Sequence, residues 1–154
     1  MRLFFFFSLI ITSLNIHAQN IEYDINWIDG IEYEIEKNKV NVPQIENFEI
    51  NYSFNQSYSI VKQWKDSQLI DFNSIRLLNA EFSNLNIDDF SGLKKINFPQ
   101  ELEFYLNSSI SKNEIFSFLE INPIILEEGV YKKLTKFSIE YKYLKNRNSS
   151  KSII

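Results

Sequence analysis

Apolar and polar residues alternate along much of this chain. Every second residue is apolar in the segments 21–27, 31–35, 48–54 and 137–143, with Glu, Asp, Asn, Ser or Lys between them. A period of two is typical of a strand with one face on a core and the other in water. Further apolar segments of strand length occur at 58–64, 75–82, 102–106 and 115–121. We therefore predict an all-β fold, an antiparallel β-sandwich with at most one or two short helices.

Turn residues separate several of these segments. Asp29-Gly30 is a preferred pair for a two-residue hairpin turn, which predicts a hairpin between the first two strands. Residues 37–39 predict a second turn, followed by a strand through Val40 and Val42. Pro43 is expected to end that strand or to mark a sheet edge. Residues 86–90 predict one short helix, capped by Asn or Asp.

The first 18 residues have the order of a secretory signal peptide. Arg2 precedes an apolar run at 3–11, and a more polar stretch follows and ends in the small residue Ala18. The run is shorter than the roughly 20 apolar residues of a membrane span, which disfavours an uncleaved anchor. We expect cleavage after Ala18, a single sandwich domain at 19–144, and a polar linker or truncated tail at 145–154.

The composition removes most catalytic chemistries. The chain has no Cys, and its one His, His17, lies in the predicted signal peptide. Ser-His and Cys-His nucleophile pairs are therefore excluded, and the usual ligands of zinc, haem and iron–sulfur sites are absent. We expect no cofactor and no metal. The formal net charge of −4 argues against a nucleic-acid partner, which a basic stripe would favour.

Carboxylates are the main candidates for chemistry that remain. Glu32, Glu34 and Glu36 share one face of a predicted strand, and Asp88 and Asp89 are adjacent. Paired carboxylates perform acid–base catalysis in glycosidases, so an enzyme would need such a pair in a cleft. Alternating Glu opposite an apolar face is also what a half-buried strand requires, and we favour that solvated face.

Aromatic residues offer a second candidate surface. Trp27, Trp64 and the Tyr side chains would suit stacking on a carbohydrate or a peptide, but at strand spacing we favour core and cross-strand packing. Four Asn-x-Ser triplets, which would accept glycans in a eukaryote, begin at Asn51, Asn55, Asn107 and Asn148. The composition is typical of an AT-rich bacterial gene, so we give these triplets no functional weight.

The C-terminal third carries a more specific pattern. The run NPIILEEGVYKKLTKFSIEY at 122–141 follows short motifs at 104–109, 112–114 and 118–121. Upstream, Asn26-Trp27, Val42-Pro43 and Gln63-Trp64 occur in a matching order. Together these residues resemble the N-terminal region of gingipain-like cysteine peptidases, and most of all the PorU-type sortases of the type IX secretion system in Bacteroidetes. The resemblance covers roughly residues 23–144, nearly all of the predicted domain.

The resemblance implies an extracytoplasmic β-sandwich that precedes a caspase-like catalytic domain. In secreted gingipains this region is a propeptide that assists folding and blocks the active site, and in the sortase it is an accessory domain. The catalytic His and Cys of the family lie in the following domain, so no catalytic residue carries over to this chain. Lys62, Lys65 and Arg76 are candidates for an inhibitory basic residue by charge alone.

Two functions remain open from the sequence. The first is a non-catalytic accessory or prodomain-like module that packs on or regulates a caspase-like peptidase domain, in cis or in trans. For it the resemblance implies export to the periplasm or cell surface of a Gram-negative bacterium, and outer-membrane components of type IX secretion as further partners. The alternative is a free-standing secreted module that binds protein or glycan. An aromatic patch on a polar sheet face would favour the alternative, and an apolar patch near the C-terminal tail would favour docking.

Overall fold

The structure, a computed structural model, describes residues 18–35 and 37–144 of the chain. These residues form an all-β fold with one short 3-10 helix, Ile87–Asp89. The strands are β1 (Gln19–Asp24), β2 (Trp27–Ile35), β3 (Asn38–Ile45), β4 (Glu49–Ser53), β5 (Ser57–Asp66), β6 (Ile70–Asn84), β7 (Phe104–Ser111), β8 (Glu114–Ile121), β9 (Ile124–Glu127) and β10 (Val130–Tyr143).

The strands make two larger sheets and a two-stranded ribbon, all with antiparallel pairing. In sheet I, β10 is central, with β6 along one edge and β1 and β9 along the other. Because a strand has only two edges, β1 and β9 lie end to end, beside residues 136–141 and 130–133 of β10. Sheet II has the order β4-β5-β8-β7, and the ribbon consists of β2 and β3.

The alternation in the sequence places one face of each sheet on the core. In sheet II, Ile60 of β5 lies opposite Ile121 of β8, and both side chains are fully buried. Two-residue turns with positive φ at both positions close two hairpins: Lys112 and Asn113 join β7 to β8, and Glu128 and Gly129 join β9 to β10.

One apolar core spans the two sheets and the ribbon. Its fully buried side chains include Val42 of the ribbon, Leu119 of sheet II, and Leu134 and Phe137 of sheet I. Burying an apolar side chain of this size stabilises a fold by about 1.5–3 kcal/mol. Since the chain has no disulfide, this core is what holds the two sheets face to face.

Hydrogen bonds from Trp and Tyr side chains at the margin of the core also connect the two sheets and the ribbon. A buried Trp or Tyr normally finds a hydrogen-bond partner for its polar atom, and three of these side chains have a partner on another sheet or on the ribbon. Three such bonds join the sheets in pairs: Trp27 Nε1 to the Leu134 carbonyl (2.7 Å), Tyr58 OH to the Pro43 carbonyl (3.1 Å), and Tyr143 OH to Asp66 Oδ1 (2.5 Å).

The long segment between β6 and β7 closes one side of the core. Leu93 and Phe98 of this segment are buried. Its backbone is held to the ribbon and to β4, since the Gly92 amide donates to the Asn41 carbonyl at 2.9 Å and Tyr52 OH donates to the Gly92 carbonyl at 3.0 Å. The segment is therefore an anchored cover for the core.

The prediction of an antiparallel sandwich is confirmed, but the predicted hairpin at Asp29-Gly30 is wrong. Strand β2 continues through this pair, and its register with β3 shifts by one residue between Ile28 and Ile31, as in a β-bulge. The first strand pairs with β10 instead of β2, because that pairing places Tyr23 against Phe137 on the core side of sheet I.

Other boundaries differ less. The turn predicted at 37–39 is shorter, because Asn38 and Lys39 already belong to β3. Pro43 lies within β3, which pairs only with β2 among the described strands and is therefore an edge. The short helix at 87–89 has the expected Asn86 cap. The segment after Pro123, expected to be a connection, contains β9, and the strand expected at 102–106 begins at Phe104 and continues to Ser111.

The predicted signal peptide, apart from Ala18, and the predicted tail at 145–154 lie outside the described residues. No helix within 18–35 and 37–144 is long and apolar enough to cross a membrane.

Substitution of Gly92 by Ala tests the anchoring of the long segment. An added Cβ would lie 2.6 Å from Val42 Cγ2, 2.9 Å from Tyr52 OH and 3.0 Å from the Asn41 carbonyl, which is closer than real Cβ contacts. We expect Gly92→Ala to lower the free energy of unfolding by about 2 kcal/mol in urea titrations. Gly129→Asn is the control, because no atom lies within 4 Å there and Asn tolerates a φ of +80°. Equal midpoints for both variants would contradict the close packing of Gly92.

Candidate docking site

Exposed apolar side chains line a cleft between the edge strands β6 and β7. The cleft has a volume of about 480 Å³ and is lined by Phe72 and Ile75 of β6 and by residues 104–107 of β7. Phe72 is 53% exposed and Tyr105 is 55% exposed. Both strands end their sheets, so no neighbouring strand covers these side chains. We call this feature the β7 cleft.

The β7 cleft lies near the end of β10. Tyr143 pairs with Ile70, and the Leu144 amide donates to the Leu69 carbonyl at 2.7 Å. Leu144 therefore lies beside Leu69, which is three residues before Phe72 in the sequence. Leu144 is itself 44% exposed. A second exposed apolar side chain therefore lies beside the start of β6, although it does not line the cleft.

A second candidate surface is the outer face of sheet II, which carries Tyr105, Phe116 and Phe118. Their neighbours across the strands are polar, since Phe118 lies between Gln63 and Asn107. Two depressions of about 300 Å³ and about 260 Å³ extend from Tyr105 along this face. The result is an aromatic patch surrounded by amides and hydroxyls.

Two charged side chains on the outer face of sheet II, Lys65 and Glu120, are held by neighbouring groups. Lys65 Nζ lies 2.5 Å from Glu114 Oε1. Glu120 Oε1 accepts from Asn51 Nδ2 at 3.1 Å and from Ser59 Oγ at 2.6 Å. These contacts hold the polar side chains in fixed positions around the aromatic patch.

The outer face of sheet I has a different character. It carries ion pairs between Lys136 and Glu22 and between Lys132 and Glu127. The hydrogen bond and charge of Glu22 raise the pKa of Lys136 above its ordinary value. This face is a solvated, charged surface, which leaves sheet II and the β7 cleft as the surfaces with binding character.

Asp66 connects the two sheets below the cleft. Its Oδ1 accepts from Tyr143 OH and from the Ser67 amide, and its Oδ2 accepts from Ser117 Oγ at 2.7 Å and Trp64 Nε1 at 3.2 Å. Partial burial raises the pKa of Asp66, but these hydrogen bonds outweigh it and hold the pKa below its ordinary value. No second carboxylate is among its partners, so this group has the geometry of a structural acceptor.

The carboxylates singled out in the sequence occupy ordinary surface positions. Glu32 and Glu34 lie on the exposed face of β2, and Glu32 pairs with Lys39 at 3.3 Å, while Glu36 falls outside the described residues. Asp88 pairs with Lys94 at 2.8 Å, and Asp89 accepts from Asn86 at 2.9 Å. Within 18–35 and 37–144, no three Asp, Glu or His residues cluster as metal ligands.

Both Trp side chains pack inside the fold. Trp27 stacks on Tyr58, with ring centroids 6.5 Å apart, and Trp64 donates to Asp66. Of the Asn residues in Asn-x-Ser triplets, Asn51 and Asn107 bond to neighbouring side chains of sheet II, Asn55 lies in the turn between β4 and β5, and Asn148 lies outside the described residues.

The three basic candidates are placed differently. Lys62 is half-buried, with its Nζ 5.0 Å from the centre of the Phe48 ring and 3.4 Å from the Asn47 carbonyl oxygen. Lys65 is held by Glu114. Arg76 is exposed on β6, opposite Glu140 of β10. The structure does not bring the three together.

Sequence reasoning did not identify the residues that form the two candidate surfaces. Phe72 lies between two predicted strands. Tyr105, Phe116 and Phe118 occupy positions where the alternation calls for polar residues, and Ser117 occupies a buried position between the last two. Aromatic residues out of phase with the strand pattern were the available signal.

The fold is similar to that of one chain in the solved complex of Porphyromonas gingivalis RgpB pro- and mature domains. The TM-score is 0.50 at 8% sequence identity, over 83% of this chain and 80% of that chain. No protein-family model and no curated protein matches the sequence. The similarity shows that this chain shares a β fold with a chain of that complex, and a chain without cysteine is not itself a cysteine peptidase.

Substitution of Asp66 by Asn tests the connection between the two sheets. We expect a loss of about 2 kcal/mol at pH 7, because a charged acceptor of four hydrogen bonds is replaced by a neutral one. The pKa of Asp66 is lowered by folding, so this stabilisation is present above the unfolded pKa and is lost as the pH falls through the folded pKa. Urea titrations should therefore show the difference between wild type and variant narrowing below pH 3.8. Asp29→Asn, at an exposed position of β2, should show no such dependence.

Proposed function

We propose that this chain is a non-catalytic, prodomain-like module of a gingipain-type protein, which packs on a caspase-like peptidase domain. The observation that carries the proposal is the fold similarity to a chain of the RgpB pro- and mature-domain complex, which extends over most of both chains. The sequence resemblance to PorU-type sortases adds the finer assignment to type IX secretion, and regulation of the peptidase domain is part of the same proposal.

The β7 cleft is the surface that we assign to docking. Phe72, Tyr105 and Leu144 expose apolar area at one end of the sandwich, and contacts between domains of one protein are built on such patches. The charged outer face of sheet I offers no comparable area. The apolar run at 3–11 supports export, so we place the module in the periplasm or at the cell surface of a Gram-negative bacterium.

Binding of the purified module, residues 19–154, to a gingipain-type peptidase domain of the same genome tests this proposal. Calorimetry should detect a complex, and Phe72→Ser should raise its Kd at least tenfold, because an exposed aromatic residue at the centre of an interface contributes strongly to affinity. Ile28→Ser is the matched control, since Ile28 is 54% exposed on the ribbon and Phe72 is 53% exposed in the β7 cleft.

The outcomes separate the levels of the proposal. If the module binds and the two substitutions change the Kd equally, the β7 cleft is not the interface, but the prodomain-like function still stands. Absence of binding to each gingipain-type peptidase domain of the genome would refute the prodomain function.

A second function, a free-standing module that binds a glycan, is favoured by the aromatic patch on sheet II. Tyr105, Phe116 and Phe118 stand among Asn, Gln and Ser side chains, and Lys65 of this face is paired with Glu114. Aromatic rings stack on the apolar faces of sugars, and amides and hydroxyls bind sugar hydroxyl groups. This arrangement suits an uncharged oligosaccharide.

A glycan array with the mature chain tests the second function. We expect the wild-type chain to bind neutral glycans, the Phe118→Ser variant to lose this binding and the Phe72→Ser variant to keep it. The reason is that Phe118 lines the depression on sheet II, whereas Phe72 lines the β7 cleft. An array without binding, or equal effects of both variants, would rule out this face as a glycan site. Tyr105 borders both surfaces and is not diagnostic.

A further inference from the structure

We propose that the free edge of β7 pairs with β7 of a second copy of this chain. The two strands would run antiparallel about a two-fold axis and join the two copies of sheet II into one sheet of eight strands, four from each copy. Because residues 104–107 of β7 also line the β7 cleft, this dimer and the peptidase domain proposed above would compete for one side of the module.

The outer edge of β7 is available for pairing. Strand β7 pairs with β8 along all eight residues without a register shift, and no other described strand pairs with it. Since a two-residue turn joins the two strands, the backbone groups of residues 104, 106, 108 and 110 point to the free edge. The Ser108 amide confirms this direction, because it donates to the Asn107 side chain at 2.7 Å and not to β8.

The free edge of β7 lacks the features that normally prevent edge pairing. It contains no charged residue, no Pro and no bulge. The other edge strands of the described fold are protected. Strands β4 and β9 have five and four residues and carry Glu49 and Glu127, and β1 carries Glu22 and Asp24. Strand β3 contains Pro43, and β2 and β6 have register shifts and carry charged residues. The difference identifies β7 as the edge suited to another strand.

The sequence of β7 is complementary to itself in one antiparallel register. With Ser108 opposite Ser108 of the second copy, Leu106 lies opposite Ile110 in two symmetric apolar pairs. The same register places Glu103 opposite Asn113 of the other copy and Lys112 opposite Phe104. No like charges therefore lie opposite each other.

The pairing also covers exposed apolar area. Ile110 is 62% exposed, the largest value among the exposed apolar side chains of the described residues. In the dimer it contacts the second copy, and the Ser108 amide exchanges its bond with the Asn107 side chain for one with the opposite Ser108 carbonyl. An extended peptide would use the same edge, so the experiment must separate it from a second copy of the chain.

Sedimentation equilibrium of the mature chain alone tests the dimer. We expect a monomer–dimer equilibrium whose Kd rises at least tenfold in Ile110→Lys, because a Lys at this position protects the edge. Ile28→Lys, a change at an exposed Ile of the ribbon, should leave the Kd unchanged. A chain that stays monomeric at all concentrations, including one that binds only extended peptides at β7, would overturn the proposal.

A cysteine cross-link tests the register. The chain has no Cys, so Ser108→Cys introduces a single thiol at the two-fold axis, where the Cα atoms of a pair are about 5.5 Å apart and a disulfide is allowed. Mild oxidation should yield a covalent dimer of Ser108→Cys and not of Ser53→Cys, which lies on the opposite edge strand β4. Equal cross-linking of the two variants would refute pairing through β7.

Discussion

Strand β10 is the element on which the rest of the sandwich depends. It is 14 residues long and pairs with three strands. The first strand of the domain (β1), a strand from its middle (β6) and the short β9 are therefore all held by β10. Its inward side chains Leu134, Phe137, Ile139 and Tyr141 are buried in the shared core. Without β10, sheet I has no central strand, and the inner face of sheet II has no opposing surface. Most pairings of β10 join residues distant in sequence, which indicates slow folding for this topology.

Hydrogen bonds donated by aromatic side chains fix how sheet I, sheet II and the ribbon are arranged around that core. Trp27, Tyr58 and Tyr143 each donate from one sheet to an acceptor on another. Burial raises the pKa of Tyr58, and the nearby Tyr33 raises it further, so its phenol stays protonated and remains a donor to the Pro43 carbonyl. Apolar contacts tolerate sliding of one sheet on another, whereas each directional bond permits a single arrangement.

The periodicity of the sequence was enough to predict the sandwich, because alternating residues such as Phe137, Ile139 and Tyr141 are buried in the way that a half-exposed strand requires. It was not enough to predict the pairing. Asp29-Gly30 has the composition of a hairpin turn, but the long-range pairing of β1 with β10 overrides that local preference. The candidate surfaces were missed for a related reason: Phe72 and Tyr105 become one cleft only when β6 and β7 meet as edges of two different sheets.

In β8 a serine faces the core and two phenylalanines face outward, and this reversed pattern links the core to the aromatic patch on sheet II. Ser117 faces the core because Asp66 accepts its hydroxyl, and this inward polar residue leaves Phe116 and Phe118 on the outer face. A strand with the usual phase would place aromatic residues inside and serine outside. Burying Ser117 while two aromatic rings stay partly exposed costs stability unless the buried hydroxyl is bonded, and its hydrogen bond to Asp66 meets that condition. The aromatic patch on sheet II therefore has a structural basis in the core, which a surface patch arising from chance substitution would lack.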